Sequence, residues 1–100
     1  MPPHPPLPGE LREAVRGTIA AVLVQPLESV TDDAALMRDL GAESIDMLDL
    51  VFRLEEVLGR KIPTGRWEAY LRSHLVGLDP TAAITTDFVV AFVEEEKRRP

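Results

Sequence analysis

Thiol and imidazole side chains are few in this chain of 100 residues. It has no cysteine, so it offers no thiolate, no disulfide framework and no thiolate metal site. Its histidines, His4 and His74, stand far apart. One lies inside a proline-rich run, and the other has no acidic partner at helical spacing. Carboxylates are abundant, but Asp and Glu on a solvated helix face are ordinary. Gly41-Ala42-Glu43-Ser44 has one glycine and no following lysine, so it is not a phosphate-cradling loop. The sequence therefore contains no catalytic constellation. One residue still stands at an unusual place: Ser44 opens a periodic apolar segment directly after Leu40-Gly41-Ala42-Glu43. A serine there is ordinarily an N-cap, accepting a bond from a free backbone N–H. The same helix end favours a phosphate, because its free N–H groups and its dipole point at an anion. Ser44 is thus either a cap or a hydroxyl on which another protein can place a phosphodiester.

The elements that must position Ser44 follow from periodicity. From Glu10 to Gln25, Leu11, Val15, Thr18, Ile19, Val22 and Leu23 recur at spacings of three and four, which predicts a helix stopped by Pro26. Residues 27–42 form a connector, with Leu27, Val30, Leu36 and Leu40 as expected apolar pins. The second helix runs from Ser44 to about Leu58. Met47, Leu50, Val51, Leu54 and Leu58 make its core stripe, with Ile45, Leu48 and Phe52 beside it. Gly59 and Ile62-Pro63 end it. Trp67, Leu71 and Leu75 predict a shorter third helix, closed by Gly77 and Pro80. The last runs from about Thr86 to Arg98, capped by Thr85 or Thr86, with Phe88, Val89, Phe92 and Val93 inward. No segment alternates with period two for long enough to make a strand. The expected fold is all-α: a four-helix bundle of three long helices and one short one, with a partly helical insert at about 64–83. Residues 1–9 hold five of the nine prolines and read as a flexible arm.

Leu, Ile, Val and Phe make up 30 of the 100 residues, enough to build the core of one domain over 10–98. The longest apolar run, Ile19–Val24, is far short of the roughly 20 residues of a membrane span. Met1 leads directly into Pro-Pro-His-Pro-Pro without the basic and apolar stretches of a signal peptide, so the expected compartment is the cytoplasm. A net charge of −6 repels phosphate backbones and argues against nucleic acid as a partner. The second helix concentrates that charge in Glu43, Asp46, Asp49, Glu55 and Glu56 against Arg53 alone. Such a surface complements a basic protein.

Asp39-Leu40-Gly41-Ala42-Glu43-Ser44-Ile45-Asp46, with the acidic run to Glu56 behind it, resembles the acyl carrier proteins. Ile62-Pro63 lies 18 and 19 residues past the serine, the family's usual spacing. Val30-Thr31-Asp32-Asp33-Ala34 and Ile84-Thr85-Thr86 look like its loop and the start of its last helix. The resemblance covers about 10–63 and 84–97. Glu43 stands where the family has Asp, and Ile45 where it has Leu, a difference that bears on which transferase accepts the chain.

The resemblance implies that Ser44 carries 4′-phosphopantetheine, transferred from coenzyme A by a separate phosphopantetheinyl transferase. The arm's thiol then holds acyl groups as thioesters for fatty acid or lipid biosynthesis. It implies a carrier rather than an enzyme, and a monomer is the default for a shuttle that must present one helix to many partners. Partner enzymes with basic patches would load and unload it, docking on Glu43, Ile45, Asp46, Leu48, Asp49, Phe52 and Glu56. Met47, Val51, Leu54, Trp67 and Leu71 become expected lining for an acyl pocket. About twenty residues separate Ile62-Pro63 from the last helix, where the family uses about ten. Ile62-Pro63 followed by Trp67 is similar to the specialised carriers of very long fatty acids for lipid A. Two alternatives stay open: an aminoacyl or polyketide cargo, and an unmodified acidic interaction module.

Overall fold

The structure, a computed structural model, describes residues 8–100, so residues 1–7 of the arm expected over 1–9 lie outside the described residues. Five α-helices follow in order: α1 Pro8–Leu23, α2 Ser44–Leu58, α3 Arg66–His74, α4 Pro80–Ala83 and α5 Thr86–Arg98. Among the described residues there is no strand; the nearest approach is a single bridge between Ala35 and Thr85. The all-α expectation holds, with one refinement. The insert forms two helices rather than one, because Asp79 accepts from the Thr81 N–H at 3.0 Å and Pro80 supplies a pre-set φ at the first position of α4.

Helix α1 begins at Pro8, inside the segment expected to be arm, since a helix does not need the donor that proline lacks in its first turn. It ends at Leu23, two residues early. Gln25 N–H donates back to Ala20 C=O at 3.0 Å, while Val24 takes the left-handed conformation, φ 52°. That closure normally uses glycine. Here a β-branched residue occupies it, 87% exposed.

Helix α1 packs against both α2 and α5, and α2 packs against α5. Leu11, Val15 and Ile19 from α1, Met47, Leu50 and Leu54 from α2, and Val89, Phe92 and Val93 from α5 form the buried centre. Val51 and Leu58 lie at its margin, half-buried. The connector is fastened by Val30, Leu36 and Leu40, all buried. Leu27 is not one of its pins: it is 43% exposed on a 3-10 turn, Leu27–Ser29. What fixes that turn is Arg16, which donates to the Leu27 and Val30 carbonyls at 3.0 and 2.7 Å. Further on, the connector runs beside the start of α5. Leu36 N–H donates to Ile84 C=O at 2.9 Å, and Thr86 N–H to Ala34 C=O at 3.1 Å. Thr85, not Thr86, caps α5, its Oγ1 accepting from Phe88 N–H at 3.2 Å.

Helix α3 is held mainly by side chains. Trp67 is buried and meets the Phe92 ring edge-on at 5.0 Å, while Tyr70 packs on Phe88 and Phe92 at 5.2 and 5.1 Å. At its first turn Arg66 donates to both carboxylate oxygens of Glu96, 3.0 and 2.9 Å away. Glu96, near the end of α5, is 4% exposed, a buried acid that its sequence position does not announce. Arg60 closes the same corner by donating to the Glu96 and Arg99 carbonyls.

Candidate functional site

The loop before α2 is built to end in a fixed place. Asp39 Oδ2 accepts from Ala35 N–H at 2.8 Å, and Ala42 N–H donates to Leu36 C=O at 2.8 Å. Gly41 takes φ 76°, a conformation that side chains rarely adopt, and the chain turns there into α2. The Arg38 guanidinium and the Ala35 N–H hold the Asp39 carboxyl below the usual carboxylate range; the same pairing raises Arg38. The first Asp of the Asp-Leu-Gly run is thus a loop closure.

Ser44 is the first residue of α2 and does not cap it. The N-cap is Glu43, whose own N–H donates to Asp46 Oδ2 at 2.8 Å. This corrects the capping role open to Ser44 in the sequence. The reason is register: the chain becomes helical at Ser44 itself, one residue earlier than a Ser44 cap would need. The Ser44 side chain is exposed and makes no hydrogen bond to the described residues. The backbone N–H groups of Ser44 and Ile45 likewise have no acceptor.

Ser44 opens onto an apolar groove of about 530 Å³ between α2 and α3. Met47 and Leu48 line it from α2, and Trp67, Leu71 and Leu75 from α3. Met37, Val76, Pro80 and Ile84 close it, with Glu68 and Arg72 as its charged lining. Three of the five expected pocket residues therefore stand together: Met47, Trp67 and Leu71. Leu54 does not join them; at 0% exposure it belongs to the core, because α1 and α5 cover its side of α2. Val51 lines a separate cleft of about 240 Å³ with Phe52, Ile62 and Pro63. Placing Met47, Val51 and Leu54 on one core stripe merged these sides of α2. Met37, Leu48, Leu75, Val76, Pro80 and Ile84 were not among the expected lining. Met37 lies on the connector, while Val76, Pro80 and Ile84 lie on the stretch from the end of α3 to the end of α4, and only the fold brings these segments together.

On the outer face of α2, Ile45 and Phe52 are 66% and 70% exposed, and Leu48 is exposed beside them. Glu43, Asp49 and Glu56 are exposed and Asp46 half-buried. Arg53 Nε donates to Asp49 Oδ1 at 3.3 Å, so the face's one cation offsets one of its acids. All seven residues expected to dock partners thus reach the surface. Among the described residues no group of acids and histidines is arranged to hold a metal ion, and no helix is long and apolar enough to cross a membrane.

The family described as a phosphopantetheine attachment site matches residues 13–66 of the chain. Among curated proteins, the chain is similar to an acyl carrier protein of Treponema denticola, 43% identical over 54 residues, covering 54% of this chain and 69% of that protein. It is 34% identical over 59 residues to one from Saccharopolyspora erythraea, covering 59% and 62% of the two chains. One from Helicobacter pylori is 40% identical over 53 residues, covering 53% and 68%. The site has what such a group requires. A free serine hydroxyl stands at a helix N-terminus with open N–H donors, beside an apolar groove within the usual size range of ligand pockets. Helices α4 and α5 lie beyond the matched residues and α3 almost wholly so, although they build the groove's far wall. The chain belongs to the acyl carrier proteins: it is a carrier rather than an enzyme, and its prosthetic group is a covalently attached phosphopantetheine.

Proposed function

We propose that Ser44 is the residue that carries the arm, and that the chain delivers acyl intermediates as thioesters to enzymes of fatty acid or lipid biosynthesis in the cytoplasm. The observation that carries this reading is the Ser44 hydroxyl: exposed, free of internal bonds and set at the mouth of an apolar groove. The bound group supplies the thiol that a chain without cysteine lacks. The chain's own residues do the rest. Glu43 and Asp46 fix the start of α2, so the serine is presented in one orientation. Met47, Leu48, Trp67, Leu71 and Leu75 offer an alkyl chain a dry wall away from water. The acidic face of α2, flanked by Ile45, Leu48 and Phe52, attracts basic patches on a phosphopantetheinyl transferase and on acyl-transferring enzymes. Steering of that kind speeds encounter without tight binding, which suits a carrier that must leave each enzyme again. A single helix presented to each partner in turn suits a monomer.

An alkyl cargo is favoured over an aminoacyl or polyketide one by the apolar lining of the groove. The test is the mass of the thioester found on the protein isolated from its source cell, with release by hydroxylamine. Saturated or hydroxylated alkyl acyl groups are expected. An amino acid or polyketide mass would overturn the cargo assignment while leaving the carrier role intact.

A further inference from the structure

The groove's lining is apolar except for Ser44 and two charged side chains one turn apart on α3, Glu68 and Arg72. They stand at i and i+4, yet no ion pair forms between them, and Arg72 has no hydrogen bond or ion pair with any described residue. Most of the other arginines are engaged. Arg12 bridges Asp32 and Asp87, Arg16 binds two carbonyls, and Arg66 holds the buried Glu96.

Its position along α3 gives Arg72 a use. The two clefts between α2 and α3 show that the helices run in opposite directions. Val51, Phe52 and Glu55 share the narrower cleft with Gly65 and Trp67 at the start of α3. Ser44 and Met47 share the groove with Arg72, Leu75 and Val76 at its end. Arg72 therefore lies across from the first turn of α2, where Glu43 and Asp46 make the surroundings acidic. A phosphodiester on Ser44 would add another anion there. Arg72 is the one cation lining that groove, and a guanidinium fork matches two phosphate oxygens.

We propose that Arg72 is a positioning residue for the arm, donating from its guanidinium to the non-bridging oxygens of the phosphodiester on Ser44. This rests on Ser44 being the attachment residue. The open N–H groups of Ser44 and Ile45 supply further donors. Held between α2 and α3, the arm starts along the groove instead of pointing into solvent, and its thiol is shielded until a partner's basic patch competes with Arg72 for the phosphate.

The test compares wild type, Arg72→Gln and Arg72→Lys, each carrying the arm, by 31P NMR of the phosphodiester and by the rate of thiol alkylation with a bulky maleimide. Arg72 is exposed and unpartnered, so circular dichroism and urea midpoints should agree for all three. In the wild type the 31P resonance should be displaced from its value in urea-unfolded protein. In Arg72→Gln it should move most of the way to that value, and alkylation should quicken about fivefold. Arg72→Lys should fall between, since it keeps the charge and loses the fork. A loaded Arg72→Gln protein with the wild-type shift and rate would overturn the proposal while leaving Ser44 as the attachment residue. If wild type takes no arm on Ser44, both readings fall together.

Discussion

At the first turn of α2 the capping is done by Glu43 and Asp46, and Ser44 is left with nothing to hold. Two opposite expectations follow for neighbouring residues. Ser44→Ala should leave the urea midpoint within about 0.5 kcal/mol of wild type, as for a surface change that breaks no contact. Asp46→Ala should cost about 0.5–2 kcal/mol, because the Glu43 N–H loses its acceptor. A large loss in Ser44→Ala would restore the serine as a structural cap. At the far end of α1, Val24 bears the strain of a left-handed conformation while fully out in solvent. Val24→Gly should therefore stabilise the protein by about 0.5–1 kcal/mol, the relief of that strain outweighing glycine's greater freedom in the unfolded chain. Equal urea midpoints for the two would show that the strain is absorbed by its neighbours.

Helices α1, α2 and α5 were legible because each carries an apolar stripe at helical spacing and a clear stop. Misreadings arose where a residue's surroundings come from distant segments. Leu27 looks like a pin but rides outward on a 3-10 turn, and Leu54 faces α1 and α5 rather than α3. Helix α3 is the element whose role was hardest to see, because its anchorage is distributed. Trp67 lies among the Phe88, Phe92 and Tyr70 rings, and Arg66 reaches Glu96, whose burial no local pattern reveals. Arg66→Ala should cost about 3 kcal/mol, since it leaves a carboxylate uncompensated in the interior, with Arg99 Nε 3.7 Å away as a weaker substitute. Trp67→Ala should cost about 3–5 kcal/mol and also widen the groove it lines. Hydrogen exchange would separate these effects from general unfolding: α3 amides should lose protection well before those of α1 and α2. Uniform loss across all helices would contradict a separately anchored α3.

The whole molecule is small, with a radius of gyration of 12.9 Å, close to the roughly 13 Å expected of a compact domain of this length. Its charge of −6 is partly held in pairs that acid will break. Arg38 and Ala35 keep the Asp39 carboxyl below its usual range, and the Thr81 hydroxyl and N–H do the same for Asp79. Both carboxylates thus stay charged in the folded chain at pH values where the unfolded chain takes up protons. Their stabilisation is complete above about pH 4 and is lost as pH falls through the folded values. The urea midpoint should fall on acidification below about pH 4, and Asp39→Asn should remove part of that fall. A midpoint that rises on acidification would contradict it. At neutral pH the same net charge governs encounter. Association with a basic transferase should slow steeply between low and physiological salt, and Asp49→Lys should slow it further without unfolding the chain.

Attachment of the arm to Ser44, and to no other residue, can be read from intact mass after incubation with coenzyme A, Mg²⁺ and a promiscuous phosphopantetheinyl transferase, with Ser44→Ala alongside. One phosphopantetheinyl group on the wild type and none on the folded Ser44→Ala variant is the expected result. An unmodified wild type with several such transferases, or an equal gain on both proteins, would contradict it.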